Sequence, residues 1–232
     1  MSQPEWPAGR RGAGALLPRL PAAAVAELRG IGRRVTFRPG AVLLTEGERS
    51  RHALLLWAGW VKVVAARGRP QPTLLALRGP GDMVGELGAL DGRPRTASVL
   101  AVSPVTALRV AENDLHGWLR RAPEAGLVLH QYMSSKLREA THFRLRATDP
   151  VEMRTAGLLR SLSGAYGSEE AGGTVITAPL TQQEIAALVG ASRAQVQRAL
   201  AALRGAGAIS TGYRSIVILD GDGLARLAGE AG

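Results

Sequence analysis

The sequence predicts an α+β chain in three parts: an N-terminal β-roll of jelly-roll type, one long helix, and a small C-terminal domain of winged helix-turn-helix type. Three observations carry this. Between Arg34 and Val110 short apolar runs alternate with Gly/Pro turns at even spacing, as in an all-β barrel or sandwich. From Leu127 to Asp149 neither proline nor glycine interrupts a helical pattern. From Thr181 two capping signatures open two short apolar helices in succession. The expected divisions are a flexible tail over 1–19, the β-roll over 20–110, the long helix over 111–148 and the C-terminal domain over 149–232.

Residues 1–19 are rich in Pro, Gly, Ala and Arg without periodicity, the composition of a mobile tail. Leu20–Ile31 predicts a helix, with Pro21 in its first turn and Val25, Leu28 and Ile31 on one face. The strands follow as V-T-F, A-V-L-L-T, A-L-L-L-W, W-V-K-V-V-A, T-L-L-A-L, T-A-S-V-L-A-V and V-T-A-L-R-V, with turns at Arg38-Pro39-Gly40, Glu46-Gly47-Glu48 and Ala58-Gly59. In the helical part, Asn113 is expected to cap a short helix and Pro123 to open the long one. Leu129, Met133, Leu137 and Thr141 recur every fourth residue, a narrow stripe suited to a dimer seam or to packing on the chain's own β-roll.

Asp149-Pro150 reads as a junction, with Asp149 capping the next helix, Val151–Leu162. Gly164–Gly173 is expected to be a loop and Thr174–Thr177 a short strand. Thr181-x-x-Glu184 and Ser192-x-x-Gln195 then open two helices separated by Gly190, with Ile185, Leu188, Val196, Leu200 and Leu203 as their shared core. The run A-I-S/T-G-Y-R/S-I-V-I-L predicts a β-hairpin wing, and Asp222–Leu227 a last helix.

Composition restricts the function. At 232 residues the chain holds two modest domains, and its formal charge of +10 favours a polyanionic partner. It contains no cysteine, which excludes disulfides, thiolate zinc sites and iron–sulfur clusters. Its four histidines, His52, His116, His130 and His142, are scattered, so neither a metal site nor histidine-dependent hydrolysis is expected. No apolar run approaches the roughly eighteen residues a membrane crossing needs, and the N-terminus lacks a signal-peptide layout, so the expected location is the cytoplasm.

The stretch Gly81–Ser98, G-D-M-V-G-E-L-G-A-L-D-G-R-P-R-T-A-S, gathers chemistry suited to a phosphorylated sugar. Its glycines permit close backbone approach to an anion. Arg95 offers a planar fork for a phosphate, and Glu86 can accept from ribose hydroxyls. A surface loop with a Glu–Arg ion pair is the plainer alternative. In the C-terminal domain, the second helix presents Arg193, Ala194, Gln197 and Arg198 on one side. Residues 150–232 carry seven basic and seven acidic groups, yet between Ile185 and Leu219 there are four arginines and no acid. That concentration points to a DNA-reading face. Arg193 and Arg198 are the candidate base contacts, with Thr181, Gln182 and Gln183 at the first helix start, and Tyr213 and Arg214 at the wing tip, meeting the backbone.

The order of these parts, with G-E-L-G-A-L-D-G-R-P-R-T-A and T-Q-Q-E-I-A-A-L-V-G-A-S-R-A-Q-V-Q-R, resembles the cyclic-AMP receptor protein/fumarate–nitrate regulator family of transcription regulators from about Leu20 to Leu219. The resemblance implies a homodimer on a near-palindromic double-stranded DNA operator, with RNA polymerase as a further partner contacted near Ser168–Gly173. It implies that Glu86 holds the ribose 2′-hydroxyl and that Arg95, with the Thr96 and Ala97 N–H groups, holds the cyclic phosphate of cyclic AMP or cyclic GMP, lined by Gly85 and Leu87. Where cyclic-AMP-responsive members place a Thr-Ser or Thr-Asn pair near the purine, this chain has Ala140-Thr141, so Thr141 alone offers a hydroxyl. The family's Arg-Glu-x-x-x-Arg reads Arg193-Ala194-x-x-x-Arg198, following Ser192, which implies an altered half-site. A constitutive regulator, or one answering another effector, is the alternative. A cupin-like enzyme is a third reading, disfavoured because His52 is the only histidine of the β region; no haem, metal or iron–sulfur group is expected.

Overall fold

The computed structural model describes residues 14–66, 68, 71–176, 178–212 and 215–229. Two compact units are present, one built on Ala15–Met133 and the other on Ser134–Gly232. The division falls within the long helix; Asp149-Pro150 marks the junction of that helix with the next.

In the first unit a helix, α1 (Ala22–Ile31), precedes strands β1 (Arg33–Phe37), β2 (Val42–Leu44), β3 (His52–Ala58), β4 (Val61–Ala65), β5 (Thr73–Arg78) and β6 (Met83–Val84). A short helix α2 (Glu86–Asp91), strands β7 (Ser98–Ala101) and β8 (Val105–Ala111), helix α3 (Glu112–Arg121) and the first turns of α4 (Pro123–Leu145) follow. The strands form two four-stranded antiparallel sheets in the orders β1-β8-β3-β6 and β2-β7-β4-β5. β3 reads A-L-L-L because both its faces are covered. Leu54 and Leu56 join Leu44, Val61, Val99 and Val105 in one core, while Ala53 and Leu55 join Leu28, Leu115, Trp118 and Leu129 in another. The Trp118 indole donates to the Ala24 carbonyl at 3.0 Å, fixing α3 against α1.

Three local expectations differ from the structure. Residues 14–19 do not behave as a tail: Ala15 and Leu16 are fully buried, Leu17–Arg19 forms a 3-10 turn, and the Leu17 N–H donates to the Gly81 carbonyl at 2.9 Å. Two leucines suffice because the β-roll leaves them an apolar seat. Residues 1–13 lie outside the described residues. Asn113 does not cap α3, whose cap is Ala111 with no side-chain bond; β8 runs straight into the helix, so the turn starts two residues earlier. Likewise α5 (Val151–Tyr166) is preceded by Pro150 at its cap, and Asp149 makes no capping bond.

α4 divides by burial. Ala125, Leu129 and Tyr132 are buried, and Val128 and Met133 pack against the same core. Beyond Met133 the apolar side chains lack that support: Leu137 is 69% and Leu145 73% exposed, and Phe143 is exposed too. The stripe thus serves the chain's own β-roll at its start and is bare further on.

The second unit contains α5, a hairpin of β9 (Gly167–Glu170) and β10 (Gly173–Ile176), helices α6 (Gln182–Val189) and α7 (Arg193–Gly205), a hairpin of β11 (Ile209–Gly212) and β12 (Ser215–Ile218), and α8 (Gly221–Leu227). Its sheet order is β11-β12-β10-β9, antiparallel throughout. The expected loop Gly164–Gly173 is instead the end of α5 followed by β9. Gly-Ser-Glu-Glu forms a strand because it pairs with β10, not because its side chains alternate. Among the described residues no helix is long and apolar enough to cross a membrane.

Candidate functional site

Arg95 is the organising side chain of the Gly81–Ser98 stretch, and only 5% of it is exposed. Its main chain is clamped on both sides: Arg95 N–H donates to Glu48 O, and Gly47 N–H donates to Arg95 O, each at 2.9 Å. Its guanidinium donates through Nε to Ser50 Oγ at 3.0 Å, through Nη2 to His52 O at 2.5 Å, and through Nη1 to Gly85 O. A guanidinium has five N–H donors, so two remain. The glycines around it have a reason beyond approach to an anion. A Cβ at Gly85 (φ +76°) would lie 2.6 Å from Leu44 Cδ1 and 2.8 Å from Arg95 Nη1, and one at Gly88 3.0 Å from that same nitrogen. Gly85 must be glycine for the arginine to lie where it does, and a side chain at Gly88 would press the same nitrogen by a few tenths of an ångström.

Glu86 opens α2 and is half-buried. Burial raises its pKa above the usual carboxylate range and nearby Asp82 adds to this, while its own backbone N–H, Arg78 and Arg95 oppose it. Leu87 is exposed, Thr96 exposed and Ala97 buried. Ser98, the last residue of the stretch, uses its Oγ to accept the Glu46 N–H at 2.9 Å and so ties β7 to the turn after β2. His52 is held neutral: burial first, then Arg109 and Arg95, lower its pKa to about 4. Its Nδ1 faces Arg109 Nη2 at 3.4 Å. Among the described residues no three His, Asp or Glu side chains converge as a metal site.

Sequence reasoning missed Ser50, Arg78, Asp82 and Tyr132. Asp82 is fully buried, with Oδ2 accepting from Gly79 N–H at 2.9 Å and Oδ1 from the Tyr132 hydroxyl at 3.0 Å. Its place inside the glycine-rich stretch was the available signal; Tyr132, fifty residues downstream, gave none. Thr141 belongs to the second unit. It is exposed, and its hydroxyl donates to Leu137 O at 2.9 Å, one turn back in its own helix.

In the second unit both capping boxes form. Thr181 Oγ1 accepts from Glu184 N–H at 3.2 Å and donates to Glu184 Oε2 at 2.9 Å; Ser192 Oγ and Gln195 repeat the arrangement at 3.3 and 2.9 Å. These two hydroxyls are therefore engaged in holding helix starts. Gly190 (φ +64°) makes the turn between the helices. Arg154, from α5, donates to the Val189 and Gly190 carbonyls at that turn, a role sequence reasoning did not assign. Val196, Leu200 and Leu203 are buried on one side of α7, whereas Arg193, Ala194, Gln197 and Arg198 are exposed on the other. Gln183 is exposed. Gln182 is half-buried and lines a cavity of about 140 Å³ with Ile185, Leu200 and Arg204. Arg214 lies outside the described residues.

Comparison with known proteins gives this arrangement its context. The chain is 35% identical over 196 residues, 84% of its length and 87% of the relative's, to a CRP-like cAMP-activated global transcriptional regulator of Mycobacterium tuberculosis. The chain belongs to the CRP/FNR family of transcription regulators. Residues 34–122 match the cyclic nucleotide-binding domain and residues 153–227 the Crp-like helix-turn-helix domain. A cyclic AMP receptor protein of Thermus thermophilus is 29% identical, covering 84% of this chain and 88% of its own. The crystal structure of a CRP/FNR family transcriptional regulator from that organism superposes with a TM-score of 0.66 at 31% identity, covering 86% of this chain and 100% of the other. The chain is a DNA-binding regulator that carries a cyclic nucleotide-binding domain, and not an enzyme.

Proposed function

We propose that this regulator is a cytoplasmic homodimer switched by cyclic AMP. The observation that carries the reading is Arg95, locked by three protein acceptors with two N–H donors left over, close enough to half-buried Glu86 for each to shift the other's titration. A fork held in this way loses little further freedom on meeting a phosphate. Gly85, Leu87, Thr96 and Ala97 complete the cradle, and Glu86 accepts from the ribose hydroxyl.

Thr141 supports adenine over guanine. Its proton is committed to Leu137 O, so its oxygen is left to accept. Adenine offers an amino group at C6, and guanine a carbonyl that needs a donor. Thr141 lies between Leu137 and Leu145, one turn from each, on the bare part of α4. Pairing that stripe with a second copy gives the exposed leucines a partner and places the base-reading hydroxyl at the seam. On DNA, Arg193 and Arg198 read bases beside Ala194 and Gln197. With Thr181 and Ser192 holding the helix starts, the N–H groups of Gln182–Gln183 and of Arg193–Ala194 are left to meet phosphates, and the wing carrying Arg214 adds a backbone contact.

Titration calorimetry of the full chain with cyclic AMP and cyclic GMP tests the ligand. Cyclic AMP is expected to bind about tenfold or more tightly than cyclic GMP, the value of one mismatched hydrogen-bond pair. Equal affinities, or no heat with either, refute the reading. A second reading, a regulator that binds its operator without nucleotide, is favoured by Ala140, which supplies no hydroxyl beside Thr141. Fluorescence anisotropy on a selected operator with and without cyclic AMP separates the two.

A further inference from the structure

The loop that carries Glu86 is tied to the long helix through the buried carboxylate of Asp82. Gly79–Val84 is pinned to β3 from both directions, with Gly81 N–H donating to Leu56 O and Leu56 N–H to Asp82 O, each at 2.8 Å. Asp82 is fully buried, and its two carboxylate oxygens are divided between structures. Oδ2 accepts from Gly79 N–H and so closes the loop, and Oδ1 accepts from the Tyr132 hydroxyl on α4. That hydroxyl also lies 3.2 Å from the Met83 carbonyl, two residues before Gly85. Tyr132 itself is 1% exposed. It is the second-last residue of the first unit, and α4 continues without a break into the second.

We propose that Tyr132 is a positioning residue that transmits the state of the nucleotide loop to α4 through Asp82. The inference rests on the reading of Gly85–Ala97 as the nucleotide cradle. A ligand drawing on Glu86 acts four residues along the chain from Asp82, whose charge already reaches Glu86. Any shift of Asp82 or Met83 alters what the Tyr132 hydroxyl bonds to. A buried phenol cannot turn to water instead, so the helix must follow or the bond must break. Tyr132 sits nearly two and a half turns before Thr141, and a change in helix rotation at 132 is carried to the exposed stripe by the continuous backbone.

Tyr132→Phe removes the hydroxyl and leaves the ring. In the full chain its affinity for cyclic AMP is expected to stay within about threefold of wild type by calorimetry, while the gain in operator affinity that the nucleotide produces falls about fivefold or more. Tryptophan fluorescence of the folded variant confirms that the β-roll is intact. A nucleotide-dependent gain equal to wild type overturns the proposal. If wild type shows no response to cyclic AMP, the cyclic-nucleotide reading fails by itself, and amide hydrogen exchange then decides this one. Exchange over Ser134–Leu145 faster in Tyr132→Phe than in wild type, with β4–β5 unchanged, supports the coupling; equal exchange over that segment overturns it.

Discussion

Arg95→Ala is the obvious test of a phosphate site, and the structure predicts that it does more than remove a ligand contact. The side chain satisfies Ser50 Oγ and the carbonyls of Gly85 and His52, and it fills the space that two glycines leave for it. Truncation takes a donor from two part-buried carbonyls; Gly85 O keeps the Ala89 N–H at 3.2 Å, so the cost of about 1–3 kcal/mol falls mainly on His52 O. Lost packing in the space the side chain fills adds to this, while relief from burying the guanidinium and entry of water offset part, so the net loss is expected at about 1–3 kcal/mol. That is a large share of the roughly 5–15 kcal/mol that holds a domain folded. Of the four tryptophans, Trp57, Trp60 and Trp118 lie in the first unit, Trp6 lies outside the described residues and none follows Trp118, so tryptophan fluorescence in a urea titration follows chiefly the first unit. The midpoint should fall sharply in Arg95→Ala. Arg95→Lys should recover only part, because one ammonium cannot reach three separate acceptors. A midpoint shift worth less than about 1 kcal/mol, with nucleotide binding abolished, would falsify the argument. The guanidinium would then belong to the ligand and not to the loop.

Two further outcomes follow from the same geometry. Arg154→Ala removes the donor at the helix-turn-helix corner and is expected to destabilise the second unit by about 1–3 kcal/mol. Far-ultraviolet circular dichroism should then report a melting step below the tryptophan transition; coincident transitions matching wild type would count against it. Glu86 has a pKa raised by burial, so above the ordinary carboxylate value the folded chain binds more protons than the unfolded one, and stability falls as pH rises through that window. Glu86→Gln should therefore melt higher than wild type at about pH 8, with the difference closing as the pH approaches 4. A gap that widens on acidification would reverse the assignment.

What the sequence disclosed and what it withheld divide along physical lines. Elements with their own signal were legible: the apolar runs of β3 and β4, the paired caps at Thr181 and Ser192, and the left-handed turn at Gly190. So were Glu86, Arg95 and the exposed arginines of α7, because charge in a glycine-rich or capped context is rare without cause. β6 and β9 were not legible, since Met83–Val84 is too short for alternation and Gly167–Glu170 has none. The protein acceptors of Arg95 were hidden because carbonyl groups carry no residue identity; only the folded chain brings His52 and Gly85 to one guanidinium. Tyr132 carried no signal in the sequence, and its hydroxyl partner could be found only after the loop and the helix were seen side by side. Asn113 and Asp149 had the right chemistry for caps but sat one or two residues from where neighbouring strands and prolines started the helices.

The clamp on the Gly79–Val84 loop also bears on how the chain is made and how it can be cut. One partner, Leu17, leaves the ribosome long before the loop, and the other, Tyr132, emerges fifty residues after it. All eight strands can thus be outside the ribosome while that loop still lacks its buried phenol and the cover of Leu129 and Trp118. A recombinant fragment stopped at Ala111, where the strands end, would be trapped at that immature stage. A piece running from Ala15 to Met133 keeps both partners of the loop.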